Sequence, residues 1–192
     1  MARAARKPIE EPGPPGPFEF EITVGMLVVH PAHGAGRVES IEERSFGGAP
    51  TTVYVLQILG TGLKVMVPRD AAARVGLRPV MSATEADEIL HVLRSREIAV
   101  TVQPWNRRFR AYTEMLASGS PHEVAKVLRD MSRLRMDKDL SFGERKLLDQ
   151  ARSLLAQELA LAQGVTGEEM ADKIESLFSP LSATAVPQGT AP

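Results

Sequence analysis

The stretch Pro104-Trp-Asn-Arg-Arg-Phe-Arg110 carries the chain's single tryptophan and, in the next five residues, three arginines. Pro104 stops a preceding segment from running on as helix, so Trp105 stands at a helix entrance. Two uses of the ring are open. It can staple the helix to the core, or it can stay partly exposed and wedge against a base while the guanidinium groups hold phosphates, as minor-groove and single-strand binders do. A second basic pair, Arg145 and Lys146, falls in the first turn of a later helix, where positive charge opposes the macrodipole. Such a placement suits a contact surface better than it suits helix stability. Arg152, seven residues on, is expected near the same face.

Other chemistry is thin. His30 and His33 in His-Pro-Ala-His-Gly invite a metal reading, but three residues apart on a strand and turn they need not converge, and no further ligand of fitting type stands nearby. The motif reads better as a turn. His91 and His122 are isolated, and the chain has neither a nucleophile elbow nor a Walker loop. Glu42 with Glu43 falls in a turn region, while Glu168 with Glu169 falls in a first helical turn, where macrodipole compensation explains it. With no cysteine there is no disulfide, no thiolate metal site and no thiol nucleophile. The expectation is a protein that is not an enzyme and carries no cofactor or metal.

The 192 residues carry a formal net charge of -1, which argues against a protein held to nucleic acid by bulk charge. The positive charge is segmental. Residues 101–152 hold 11 basic and 7 acidic side chains, whereas residues 153–192 hold 1 and 5. Charges grouped within about a Debye length, ~8–10 Å, act together, so a localised anion-binding surface is compatible with a neutral mean. A set of solvated helix faces is the plainer alternative. Apolar runs too short to span a membrane, and an N-terminus without an apolar leader, point to a soluble, cytoplasmic protein.

These residues must be positioned by two kinds of element. Between Phe18 and Leu77, alternating or β-branched bursts punctuated by glycines predict four or five short strands and a small antiparallel barrel or bent sheet. From Ser82 the period becomes helical. Ser82/Glu85, Ser120/Glu123, Ser141/Glu144 and Thr166/Glu169 each place a hydroxyl at an N-cap and glutamate at N3, the capping-box pattern. Apolar stripes follow each box, and a fifth helix is expected over Arg107–Ala117 with Phe109, Tyr112 and Leu116 inward. The fold class is therefore α+β, with a sheet module over residues 18–80 and a compact helical module over 81–178. Residues 1–17, with five prolines, and the small-residue tail 179–192 are expected to be disordered.

Val24-Gly25, His30-Pro31-x-x-Gly34, Tyr54-Val-Leu56, Val65-Met-Val-Pro68 and Val75-Gly-Leu-Arg78 are followed in register by Trp105-Asn-Arg-Arg-Phe-Arg110, Leu116-Ala-Ser-Gly119, Val127-Leu-Arg-Asp130, Leu140-Ser-Phe-Gly-Glu144 and Leu154 to Ala162. Weak singly and specific together, these motifs resemble the bacterial CarD and CdnL transcription regulators from about Val24 to Phe178. The resemblance implies a Tudor-like N-terminal domain, shared with the transcription-repair coupling factor, that docks on the β subunit of RNA polymerase. It also implies a helical domain that touches promoter DNA at the upstream edge of the melted region and stabilises the open complex.

Carried over residue by residue, the polymerase-binding positions fall on Arg44, Val55, Met66 and Pro68. The DNA-contacting positions fall on Trp105, Arg107, Arg108, Arg110, Arg145 and Lys146. Some members carry arginine at the place of Met66, so apolar packing replaces part of an electrostatic contact there. Many carry tyrosine at His30 and Phe109. The implied partners are the polymerase β subunit and promoter DNA read without sequence specificity. The protein is expected to be a monomer, drawn to the nucleoid through polymerase. The alternative from a different class is an adaptor whose helical module binds a second protein and whose Trp105 is core.

Overall fold

The computed structural model describes residues 20–46, 48–95 and 104–178. The expected disordered tails, 1–17 and 179–192, lie outside these residues. The first elements among the described residues are a meander of four antiparallel strands: β1 (Leu27–His30), β2 (Gly34–Phe46), β3 (Ala49–Ile58) and β4 (Lys64–Pro68). A short helix α1 (Arg69–Val75) then leads to β5 (Arg78–Pro79), which returns to pair with β1 and gives the sheet order β4-β3-β2-β1-β5. One face of the sheet covers a small core built from Ile22, Val28, Val38, Tyr54, Leu56, Val67, Ala72 and Leu77.

Two strands are longer than the short strands expected: β2 has 13 residues and β3 has 10. The hairpin pairs without interruption from Ser40↔Val55 to Phe46↔Ala49, so the polar run after Ser40 is held as strand by its partner rather than by its own apolar alternation. An irregularity between Val38 and Ser40 inserts an extra residue and re-aims the side chains beyond it. The helix α1 gave no advance signal because it is 7 residues long and its N-cap is Pro68, with no side-chain cap.

Among the described residues five helices follow: α2 (Ala83–Arg94), α3 (Trp105–Ala117), α4 (Pro121–Asp137), α5 (Phe142–Gln163) and α6 (Gly167–Leu177). Reciprocal capping boxes form at Ser82/Glu85, Ser141/Glu144 and Thr166/Glu169. At α4 only half of the box forms. Ser120 accepts from the Glu123 N–H, while the Glu123 carboxylate turns to Lys126 Nζ at 2.6 Å. The apolar stripes of the helices merge into one core that includes Leu93, Tyr112, Leu116, Leu128, Met131, Leu155, Leu159 and Met170. Phe109 does not join it as expected. The ring is 37% exposed, one turn before Tyr112 on a helix whose inward face is only as wide as Tyr112 and Leu116.

Candidate functional site

Helix α3 starts in an unusual way. Pro104 holds the N-cap position at φ -52, ψ 146, no side chain caps the first turn, and no acidic residue lies in it. The start of the helix and the arginines behind it therefore give this end a positive potential. Trp105 at the first helical position is partly buried and packs against the helical core. Its ring lies 5.5 Å from that of Phe109 at an interplanar angle of 53°, and the Arg108 guanidinium sits 5.7 Å from its centroid, within cation–π range. Arg107 and Arg110 are exposed.

The ring rests on a second helix. Gly143, in the first turn of α5, approaches it so closely that a Cβ there would lie 3.2 Å from Trp105 Cζ2 and 3.6 Å from Phe109 Cε2. Beside the ring runs an open, mainly apolar groove of about 580 Å³, lined by Trp105, Asn106, Phe109, Arg110, Thr113, Glu114 and Gly143. The sequence offered staple or exposed ring as alternatives. In the structure the ring is both, with one side on the core and one side on the groove.

The Gly143 contact brings the start of α5 to the start of α3, and with it the second basic pair. Glu144 turns inward, 2% exposed, where it accepts from the Ser141 N–H at 2.7 Å and from Lys138 Nζ at 3.0 Å. Burial pushes its carboxyl up, but the Ser141 and Lys138 contacts outweigh this and hold it below the usual glutamate range. Capping is thus satisfied internally, and Arg145 and Lys146 point to solvent. Phe142, 79% exposed at the first position of the same helix, is an apolar neighbour that sequence reasoning missed. No periodicity singled it out, and the tertiary contact of Gly143 shows which side of α5 is covered. Arg152 does not extend this face as expected. It pairs with Glu175 on α6 at 3.1 Å, and the same carboxylate takes Arg135 at 3.1 Å.

Beneath the surface, a buried polar network fixes α3. Tyr112 Oη donates to Asp130 Oδ2 at 3.0 Å, Arg129 Nε donates to Asp130 Oδ1 at 2.9 Å, and Arg129 Nη1 reaches Ser95 Oγ at 2.7 Å. Burial, and then the Asp130 charge, push the Tyr112 phenol well above its ordinary range, so it stays a neutral donor. The network ties α3, α4 and the end of α2 together, and holds the Trp105 end of α3 against a fixed base.

The four residues singled out in the sheet module also converge. Register pairs Arg44 with Thr51, Val55 with Met66 and Val53 with Pro68, while Ser40 opposes Val55. Because cross-strand partners share a face and side chains alternate along a strand, Arg44, Val55, Met66 and Pro68 all lie on the face opposite the small core. Met66 is 54% exposed on β4, which is an edge strand. Val55 is buried at 7%, so it supports Met66 more than it offers surface. Arg44 pairs with Glu42 at 2.6 Å, and hydrogen bonds from Ser40 and Arg44 hold the Glu42 carboxyl below its ordinary range.

The histidine motif is a turn. His30 Nδ1 accepts from the Ala32 N–H at 3.1 Å, its ring lies 4.7 Å from that of His33, and burial followed by the His33 charge lowers its pKa. Among the described residues no group of three or more His, Cys, Asp or Glu side chains gathers to hold a metal, and no helix is long and apolar enough to cross a membrane.

Two family models divide the chain between them. The model described as CarD-like/TRCF RID domain matches residues 22–81, and the model described as CarD, C-terminal domain matches residues 88–175. YdeB of Bacillus subtilis (strain 168) is 31% identical over 147 residues, which span 77% of this chain and 95% of that protein. A solution structure of the 72-residue N-terminal domain of Myxococcus xanthus CarD matches at 29% identity over 36% of this chain and 92% of that one, with a TM-score of 0.28. With both family models matched in order and a relative covered along nearly its whole length, the chain belongs to the CarD/CdnL family of transcription regulators.

Proposed function

We propose that the protein is a non-enzymatic accessory factor that binds the β subunit of RNA polymerase and stabilises the open promoter complex. The sheet module docks through the face carrying Arg44, Val55, Met66 and Pro68, with the β4 edge available for strand pairing. The helical module meets DNA at the upstream edge of the bubble. There Trp105 acts as the wedge, and Arg107, Arg108, Arg110, Arg145 and Lys146 hold phosphates.

The observation that carries this reading is the seating of Trp105. A ring supported on one side by Gly143 and Phe109, bordered by a groove on the other and flanked by arginines, is stiff enough to press on a base step and charged enough to be held there. Replacement by alanine tests it. A fully buried tryptophan would cost ~3–5 kcal/mol on truncation, and one that faces an open groove costs about 1–2 kcal/mol because no closed cavity is left. The mutant should fold, bind polymerase and shorten the open-complex lifetime several-fold relative to the wild type. An unchanged lifetime in a well-folded Trp105→Ala protein removes the ring from the mechanism.

The apolar groove and the exposed Phe142 favour one other reading, an adaptor whose helical module grips a second protein. Salt separates the two. Each lost phosphate contact reduces the slope of log affinity against log salt by about 0.9, so Arg145→Glu with Lys146→Glu should flatten the slope for DNA in the polymerase complex by roughly 2. A slope that the charge reversals leave unchanged favours the adaptor.

A further inference from the structure

We infer that Arg78 and Glu158 form a positioning clamp that fixes the angle between the sheet and helical modules, so that docking of one module aims the other. This rests on the function proposed above. Arg78 lies on β5, hydrogen-bonded to β1 through the Val29↔Arg78 pairing. Its guanidinium reaches the Glu158 carboxylate on α5 with both terminal nitrogens, Nη1 to Oε1 and Nη2 to Oε2 at 2.9 Å. Nε donates to the Gly119 carbonyl in the α3–α4 turn at 3.3 Å, and Nη1 also donates to the Pro79 carbonyl at 3.1 Å. Glu158 is 1% exposed, and its Oε1 accepts the Met81 N–H at 3.1 Å. One side chain thus joins the connecting strand, the turn that ends α3 and the middle of α5.

Shape reinforces charge at the same place. Pro31, which follows β1, lies against Gly76 and Gly119, where a Cβ would meet its Cγ at 3.2 and 3.1 Å. Both glycines have positive φ, 83° and 74°, so a side chain would strain the backbone as well as displace the proline. Apolar contact alone is non-directional and lets two modules slide. Two parallel bonds from a planar guanidinium set an orientation, which a lysine in its place does not. A carboxylate this deeply buried is stable only with its partners in place, so the docked geometry is the one that satisfies it.

The chain has no cysteine, so spin labels can be introduced at Glu43→Cys on β2 and Glu168→Cys on α6 without removing native thiols. Full-length protein with Arg78→Lys, and separately Glu158→Gln, which keeps an acceptor for Met81, is then compared with the parent. The readouts are inter-label distance distribution, affinity for polymerase and open-complex lifetime. The clamp predicts a broadened distance distribution, polymerase affinity within about twofold of the parent, and loss of most of the lifetime enhancement in both variants. An unbroadened distribution in folded variants overturns the clamp, and a broadened one with full lifetime enhancement overturns its positioning role. If the parent itself does not prolong the open complex, the proposed function fails, and with it the positioning role, while the distances still judge the clamp.

Discussion

Gly143→Ala separates where the Trp105 ring sits from what the ring is. The added Cβ would lie 3.2 Å from Trp105 Cζ2, whereas carbon atoms in comfortable contact are ~3.5–4.0 Å apart, so the ring must retreat by roughly 0.3–0.8 Å. A ring enclosed on all sides would resist, at an overpacking cost of about 1–3 kcal/mol. Here the groove bordering Trp105, Asn106, Phe109 and Arg110 gives it somewhere to go. Against that stands the gain in helix propensity from glycine to alanine, up to ~1 kcal/mol in a helix interior and less in a first turn. The two effects nearly cancel, and for a protein of this size a residual of about 0.5 kcal/mol moves the melting temperature by roughly 1–2 °C. The open-complex lifetime should nevertheless fall, because a contact constellation works only when held within about 0.5 Å of its productive geometry. Trp105 is the only tryptophan, so its emission reports the ring directly. A melting temperature lowered by ~5 °C or more would show that the ring cannot yield and belongs to the core. Unchanged emission together with an unchanged lifetime would show that Gly143 does not set its position.

On the sheet, Met66→Glu places a charge at the centre of the proposed docking face and beside Val55; polymerase affinity should drop at least tenfold while the melting temperature stays within a few degrees, as measured by titration and thermal denaturation of the same preparation. At acid pH, the lowered carboxyl of Glu144 contributes stability above the ordinary glutamate range that is lost as pH falls through its lowered value. Glu144→Gln should therefore cost about 1–3 kcal/mol at neutral pH and flatten the acid limb of melting temperature against pH, and an acid limb as steep as the wild type's would contradict the assignment.

What was legible in the sequence was mostly local. A capping box spans four residues and carries its own hydrogen-bond logic, so Ser82, Ser141 and Thr166 announced their helices before any tertiary information was needed. Even there, Glu123 had a competitor three residues on in Lys126, which no N-terminal pattern displays. The sheet could be counted but not measured, because the charged half of β2 is strand only by virtue of β3. The Trp105 and arginine cluster could be found, yet its support could not: Gly143 is 38 positions away and has no side chain to signal a contact. Arg152 illustrates the reverse error. Helical spacing from Arg145 put it near the basic face, but Glu175 from a different helix pairs with it and with Arg135, and spacing within one helix says nothing of what another helix brings.

The same distribution of charge bears on how a protein with net charge -1 would work on DNA under the proposed function. Glu175 engages Arg135 and Arg152, Glu144 engages Lys138, Glu123 engages Lys126 and Asp130 engages Arg129, so much of the basic segment is paired within the protein, while Arg107, Arg108, Arg110, Arg145 and Lys146 stand at the starts of α3 and α5. A handful of exposed phosphate contacts gives weak, salt-sensitive affinity for free duplex. Tethering changes that. On the proposed function, with the sheet module bound to polymerase, the local concentration of the helical module near the promoter would reach the millimolar range typical of short connections, and weak contacts would become occupied. A rigid junction of the kind inferred above would raise the effect further, because every encounter would present Trp105 in one orientation instead of many. On this argument, basic charge added around α3 would improve binding to free DNA while diluting the protein over non-promoter sequence, whereas the modest charge observed would leave the choice of site to polymerase.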